Sequence, residues 1–200
     1  MTADSECQWA KCPQATVRFV LGAAALASVV LLSPRSLSAH AEVIEASSSG
    51  FALQRTIHIA AAPDRVYAAL IQPAKWWNPE HTFSGSAANL SLDARAGGCF
   101  CETWSGGSVQ HEVVVYVVPG KTLRMRGALG PFQAQGMTGA LTFSIKAAGD
   151  GTDLTMENVV GGFMKGGIGK WPRLADSMLA EQMIRFKRYV ETGSPEAALK

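Results

Sequence analysis

Charge is scarce in this 200-residue chain. Lys, Arg, Asp and Glu together make up 17% of it, and the net charge is only +2. No run of Lys or Arg stands out, so the electrostatic footprint of a nucleic-acid binder is missing and nucleic acid is not an expected partner. The plainest catalytic signatures are missing too. There is no Gly-x-Ser-x-Gly elbow. His111-Glu112 lacks the second His of a zinc-protease helix and lies in a strand pattern. The stretch 161–170, GGFMKGGIGK, imitates a phosphate loop but carries Met164 where the first Gly belongs, and Trp171 follows where Ser or Thr is needed. A glycine-rich lid or cavity mouth is the expectation there. Neither a metal nor a cofactor is expected. Apolar residues, by contrast, reach 48%, enough for a packed core, so disorder of the whole chain is excluded. The 20 glycines point to many turns and bulges.

The apolar residues are unevenly spread. Residues 19–32, FVLGAAALASVVLL, contain no charge. Lys11 and Arg18 precede them, Pro34 follows, and Ala39-His40-Ala41 forms a small-x-small site. This is the pattern of a secretory signal peptide over 1–41, cleaved before Glu42. The run is shorter than the roughly 20 residues a bilayer span needs. Export to the periplasm or outside is therefore expected, without stable membrane insertion after cleavage. The alternative is an anchor left by an uncleaved segment. No twin-Arg precedes the run, and Cys7 and Cys12 lie on the wrong side of it for a lipoprotein. The mature part is nearly neutral, with 15 Lys and Arg against 14 Asp and Glu.

Residues 42–50, EVIEASSSG, read as a flexible lead-in, 51–192 as one domain and 193–200 as a tail. In 51–59, Phe51, Leu53, Ile57 and Ile59 share one face of a strand. Pro63-Asp64 opens a short helix, with Pro in the first turn and Asp at the positive end of the dipole. Pro73 ends it, and Trp76-Trp77-Asn78-Pro79 makes an aromatic turn. Strand patterns follow at 90–95, 99–104, 109–118, 121–126, 137–146 and 152–160, separated by Gly and Pro turns. Such neighbours favour an antiparallel meander. The last element differs: Leu179, Met183, Phe186 and Val190 fall at helical spacing between Pro172 and Gly193. An antiparallel sheet with one apolar face needs a cover, and this is the long helix available.

The order of these elements resembles the START/SRPBCC superfamily, which includes polyketide-cyclase-like proteins and activators of a chaperone ATPase. The resemblance covers about 51–192. It rests on Ala62-Pro63-Asp64-Arg65-Val66-Tyr67, Trp76-Trp77, Gly97-Gly98-Cys99-Phe100-Cys101-Glu102, Pro119-Gly120-Lys121-Thr122-Leu123 and Gly151-Thr152-Asp153-Leu154. It implies an α+β helix-grip fold. In that fold a curved antiparallel sheet wraps around the C-terminal helix, two short helices follow the first strand, and a cavity lies between sheet and helix. It does not imply one reaction.

Glu102 and His111 flank the hairpin turn at Gly106-Gly107 and are expected opposite each other or one step off. His111 shares its parity with Val113, Val115 and Val117. Burying that valine row puts His111 on the cavity side and Gln110, Glu112 and Tyr116 outside. A carboxylate orienting an imidazole in an apolar pocket suits acid-base catalysis or ligand orientation. The expected cavity lining is Trp77, Trp104, Val113, Val115, Asn158, Met183 and Phe186. Cys99 and Cys101 share a strand face. A metal site with His111 and a disulfide are the alternatives to buried packing thiols, which are the expectation because the two Cβ vectors run parallel. The functional reading is an exported domain, monomeric or weakly dimeric, that binds a small apolar or amphipathic molecule. The alternatives are a cyclase or hydrolase/lyase using His111 and Glu102, or a protein-binding chaperone co-factor.

Overall fold

The computed structural model describes residues 42–197. The leader read over 1–41 lies outside the described residues, as do the last three residues of the tail. Eight strands form one antiparallel sheet in the order β1-β2-β8-β7-β6-β5-β4-β3. They are β1 (Glu42–Ala46), β2 (Gly50–Ile59), β3 (Leu90–Leu92), β4 (Cys99–Trp104), β5 (Gly107–Val118), β6 (Thr122–Gly127), β7 (Gly136–Ala148) and β8 (Gly151–Phe163). From β3 to β8 the chain meanders. β2 pairs with β8, which places the second and last strands side by side. A short helix α1 (Pro63–Leu70) follows β2, and the long helix α2 (Trp171–Thr192) closes the chain.

Inward positions run in rows across the sheet. Leu53, Asn158, Leu141 and Met125 form one row, and Arg55, Met156, Phe143 and Leu123 the next. Every member of both rows is buried, so the concave face carries one continuous apolar surface with Asn158 and Arg55 set into it. α2 lies on that surface through Leu179, Met183, Phe186 and Val190, all buried as the helical spacing predicts. Phe186 meets the edge of Trp76 at 5.1 Å. The Trp76 indole N–H donates to the Ala69 carbonyl at the end of α1, so one ring ties helix, turn and core together. Asp176 on α2 pairs with Arg55 at 3.7 Å. Gly193, at φ 84°, ends α2 in the left-handed region, and its N–H returns to the Tyr189 carbonyl.

The structure corrects three expectations. The lead-in is not a flexible stretch: Glu42–Ala46 adds a strand to the edge of β2, with Val43 opposite Leu53. A five-residue segment in which Ile44, Glu45 and Ala46 are exposed carries too little periodicity to read as a strand. The free backbone edge of β2 supplies the order instead. Only one of the two expected short helices is an α-helix; Pro73, Pro79 and Ala87 each start a single 3₁₀ turn in place of the second. Cys99 and Cys101 are joined in a disulfide rather than buried as free thiols. The register shifts between Phe100 and Cys101, and the two Cα atoms stand 5.4 Å apart, within bridging range.

Candidate functional site

A cavity of about 820 Å³ opens between the sheet and the first turns of α2. Trp171, Leu174, Ala175, Met178 and Leu179 of α2 form one wall. Leu129 to Ala134, containing a 3₁₀ turn, form another, and Glu80 to Phe83 form the rim. Trp77, Leu90, Phe100, His111 and Asn158 complete the interior. Gly161 to Lys170 leads into α2 with Met164 and Ile168 buried as anchors and Phe163 at 75% exposure. No residue of the stretch 161–170, read as a mouth or lid, lines the cavity; the adjoining Trp171 does.

The structure brings His111 and Glu102 together inside the fold, as their flanking of one hairpin predicts. His111 Nε2 stands 3.2 Å from Glu102 Oε2, with both side chains buried. The register differs from the simple count. Glu102 pairs with Val109, so His111 lies diagonally across, and it is the extra residue of a β-bulge. That bulge also overturns the valine row. Past it, Glu112 and Val114 point inward, Val113 lies opposite Cys99 and away from the cavity, and Val115 is 44% exposed. A second bulge at Val115 returns Val117 to the side that packs on the core. Neither bulge has a Gly or Pro on β5 to announce it.

Three further lining expectations are corrected. Trp104 folds over Gly107 at the hairpin end, where a Cβ would meet its ring, and it stays outside the cavity. Met183 and Phe186 lie one to two turns beyond the cavity wall and are packed in the solid core. Their helical face is as read; the cavity extends along only the first half of α2. Trp77 and Asn158 do line it. The residues not foreseen come from the 129–134 loop, the 80–83 rim and the start of α2, where no periodic pattern marks a ligand-facing side.

Glu102 is held as a carboxylate. Its Oε2 accepts the Phe83 N–H at 3.0 Å, and its Oε1 accepts the Ser84 N–H. Burial alone would raise its pKa, but hydrogen bonds from Ser84, Phe83 and His111 outweigh it and the net shift is downward. An ionised carboxylate can only accept, so the imidazole donates to it and its proton is assigned to Nε2. Burial lowers the His111 pKa, against the opposing pull of Glu102, so the ring is neutral near pH 7 and Nδ1 carries a lone pair. Phe100 and Phe83 flank the ring at 5.0 and 5.9 Å. The Asn158 side chain, also buried, borders the same cavity.

Glu112, expected outside, is 2% exposed, and its Oε2 has no hydrogen-bond partner among the described residues. Burial pushes its pKa up to about 8. Its side chain runs over Gly127, where a Cβ would stand 2.8 Å from Glu112 Cα and 2.3 Å from the His111 carbonyl oxygen. The bare Gly127 leaves room for the Glu112 side chain, whose Cγ a Cβ there would meet at 3.0 Å. At the rim, His81 Nε2 meets Glu181 Oε2 of α2 at 3.1 Å, and the Trp77 indole N–H donates to the His81 carbonyl. Among the described residues no group of three His, Cys, Asp or Glu side chains is placed to hold a metal ion.

The sequence profile of the family described as polyketide cyclase / dehydrase and lipid transport matches residues 51–191. No curated protein matches the sequence. Among solved structures, a conserved protein of unknown function from Enterococcus faecalis superposes with a TM-score of 0.54 at 15% identity, covering 79% of this chain and 80% of that one. CalU16 from Micromonospora echinospora gives 0.51 at 15% identity, with 78% and 83% covered. DynU16, from the dynemicin biosynthetic locus, gives 0.52 at 20% identity over 72% of this chain and 48% of its own length. At these identities the likeness is one of fold.

Proposed function

Since the chain belongs to the polyketide cyclase/dehydrase and lipid-transport family, we propose that it is an exported domain that binds one small apolar or amphipathic molecule between the sheet and α2. The observation that carries this reading is the cavity. Its volume of about 820 Å³ is within the range of small-molecule sites, and its walls are mainly apolar and aromatic with a few polar groups among them. The family's description, which includes lipid transport, supports the same class of ligand. Export rests on the charge-free run at 19–32 and the Ala39-His40-Ala41 site. The domain acts as a monomer or weak dimer.

The test is titration with an apolar naphthalene dye, whose emission rises on leaving water. Met178 lines the cavity from α2 and is only half-buried, so Met178→Trp fills space without rebuilding the core. Saturable dye binding that Met178→Trp abolishes, at unchanged melting temperature, is expected. Equal binding by both proteins would place the dye elsewhere and remove the support.

A second reading is favoured by one specific observation. His111 is a neutral imidazole oriented by an ionised carboxylate and bordering an apolar cavity. That arrangement can take a proton at Nδ1 from a bound substrate while Glu102 stabilises the imidazolium. The chemistry would be of cyclase or hydrolase/lyase type. A protein-binding chaperone co-factor is the weaker alternative, because a cavity rather than a filled interior favours a small ligand.

A further inference from the structure

We infer that the cavity selects an uncharged apolar molecule bearing a hydroxyl group, whose O–H is accepted by His111 Nδ1, and that it rejects carboxylates and phosphates. This deepens the cavity-binding reading and rests on it.

The first argument is the direction of the hydrogen bonds. Glu102 receives N–H groups from Phe83, Ser84 and His111, which fixes the imidazole proton on Nε2. The other ring nitrogen is therefore an acceptor. Nδ1 has no protein donor among the described residues, and the ring borders the cavity. A ligand group meeting it must donate. Asn158 is the other buried polar side chain on the wall, and its amide offers both a donor and an acceptor. Asn158 stands on β8, three strands from β5 in the sheet order, so the hydroxyl is assigned to His111 alone. An ether or hydrocarbon leaves that acceptor unpaired.

The second argument is charge. No Lys or Arg lines the cavity among the described residues. The ionised groups near it are the carboxylates Glu102 behind His111, Glu80 at the rim and Glu181 paired with His81, and one buried cation, Arg55, which does not line the cavity and is paired with Asp176. A buried ligand anion would lose its hydration, gain no cation and sit close to Glu102. A ligand cation gains little in exchange for its own hydration. Three donors already occupy Glu102, and the exposed Glu80 stays in water.

The experiment compares three probes of matched tail near neutral pH: 4-octylphenol, 4-octylanisole and 4-octylbenzoate. Their affinities are measured calorimetrically for the domain and for His111→Phe, which keeps an apolar ring and removes the acceptor. The phenol is expected to bind at least about tenfold tighter than the ether and the benzoate, the worth of one buried hydrogen bond. His111→Phe should erase the gap between phenol and ether. A benzoate that binds as tightly as the phenol would overturn the inference while leaving the cavity reading intact. A phenol preference that survives in His111→Phe would overturn it too. If none of the three binds, both the inference and the cavity reading fail.

Discussion

Glu112 is the residue whose position and chemistry conflict most with its neighbours. It sits on the inner face, ordinary for a valine and costly for a carboxylate. Its pKa is raised from 4.5 to about 8 by burial, so the folded chain keeps a proton that the unfolded chain releases. Its contribution to stability is therefore full below the ordinary carboxyl value and falls as pH rises toward about 8. Glu102 and His111 pull the other way. Both values are lowered in the folded state, so their contributions are present at neutral pH and lost as pH falls. Glu112→Gln should remove the alkaline loss, on the order of 2–4 kcal/mol between about pH 5 and 8 by linkage. Urea denaturation of both proteins across that range checks it. An identical alkaline slope in the variant would assign the loss to another group.

The elements show what the sequence could and could not disclose. α2 was legible because four large apolar residues repeat at helical spacing and all four are buried. Phe186→Ala should cost about 3–5 kcal/mol, read from the denaturation midpoint, since its ring packs on Trp76 in the solid core. β5 was legible as a strand but not in its facing. Two bulges reverse the parity between His111 and Val117, and a period-two count has no way to see an inserted residue. His111 kept its predicted side because it precedes the reversal, whereas Val113, Val115 and Glu112 did not. Gly127 carries the physical trace of that bulge, because a side chain there would strike the backbone of His111 and Glu112. Gly127→Ala should destabilise the domain by about 1–3 kcal/mol and shift the His111 ring resonances in NMR spectra. Unchanged resonances would mean that the bulge does not depend on that contact. The Cys99–Cys101 bridge spans so short a loop that its entropic worth is small, about 1–2 kcal/mol. Alkylation of the peptide carrying both cysteines should require prior reduction, and the reduced domain should remain folded. Ready alkylation without reductant would show the thiols to be free.

At the scale of the molecule, the sheet and α2 are held apart at one end and packed solid at the other. The Trp76–Phe186 contact lies in the packed end, Trp77 beside Trp76 lines the cavity, and the first turns of α2 and the 129–134 loop wall the open end. The cavity's extent was not legible in sequence. Its walls combine the 129–134 loop, the 80–83 rim and the first turns of α2, segments far apart in sequence that no local periodicity links. The proposed export predicts a mature chain beginning at Glu42, and N-terminal sequencing of the protein purified from its host should find that residue first; a sequence still containing Phe19 would contradict it. The central claim is that the cavity holds an apolar molecule, and native mass spectrometry of the domain purified gently from its own host tests it most directly. The account predicts one small molecule bound noncovalently per chain, lost on denaturation and absent from Met178→Trp. A spectrum showing only the bare polypeptide mass, or the same adduct on Met178→Trp, would contradict it.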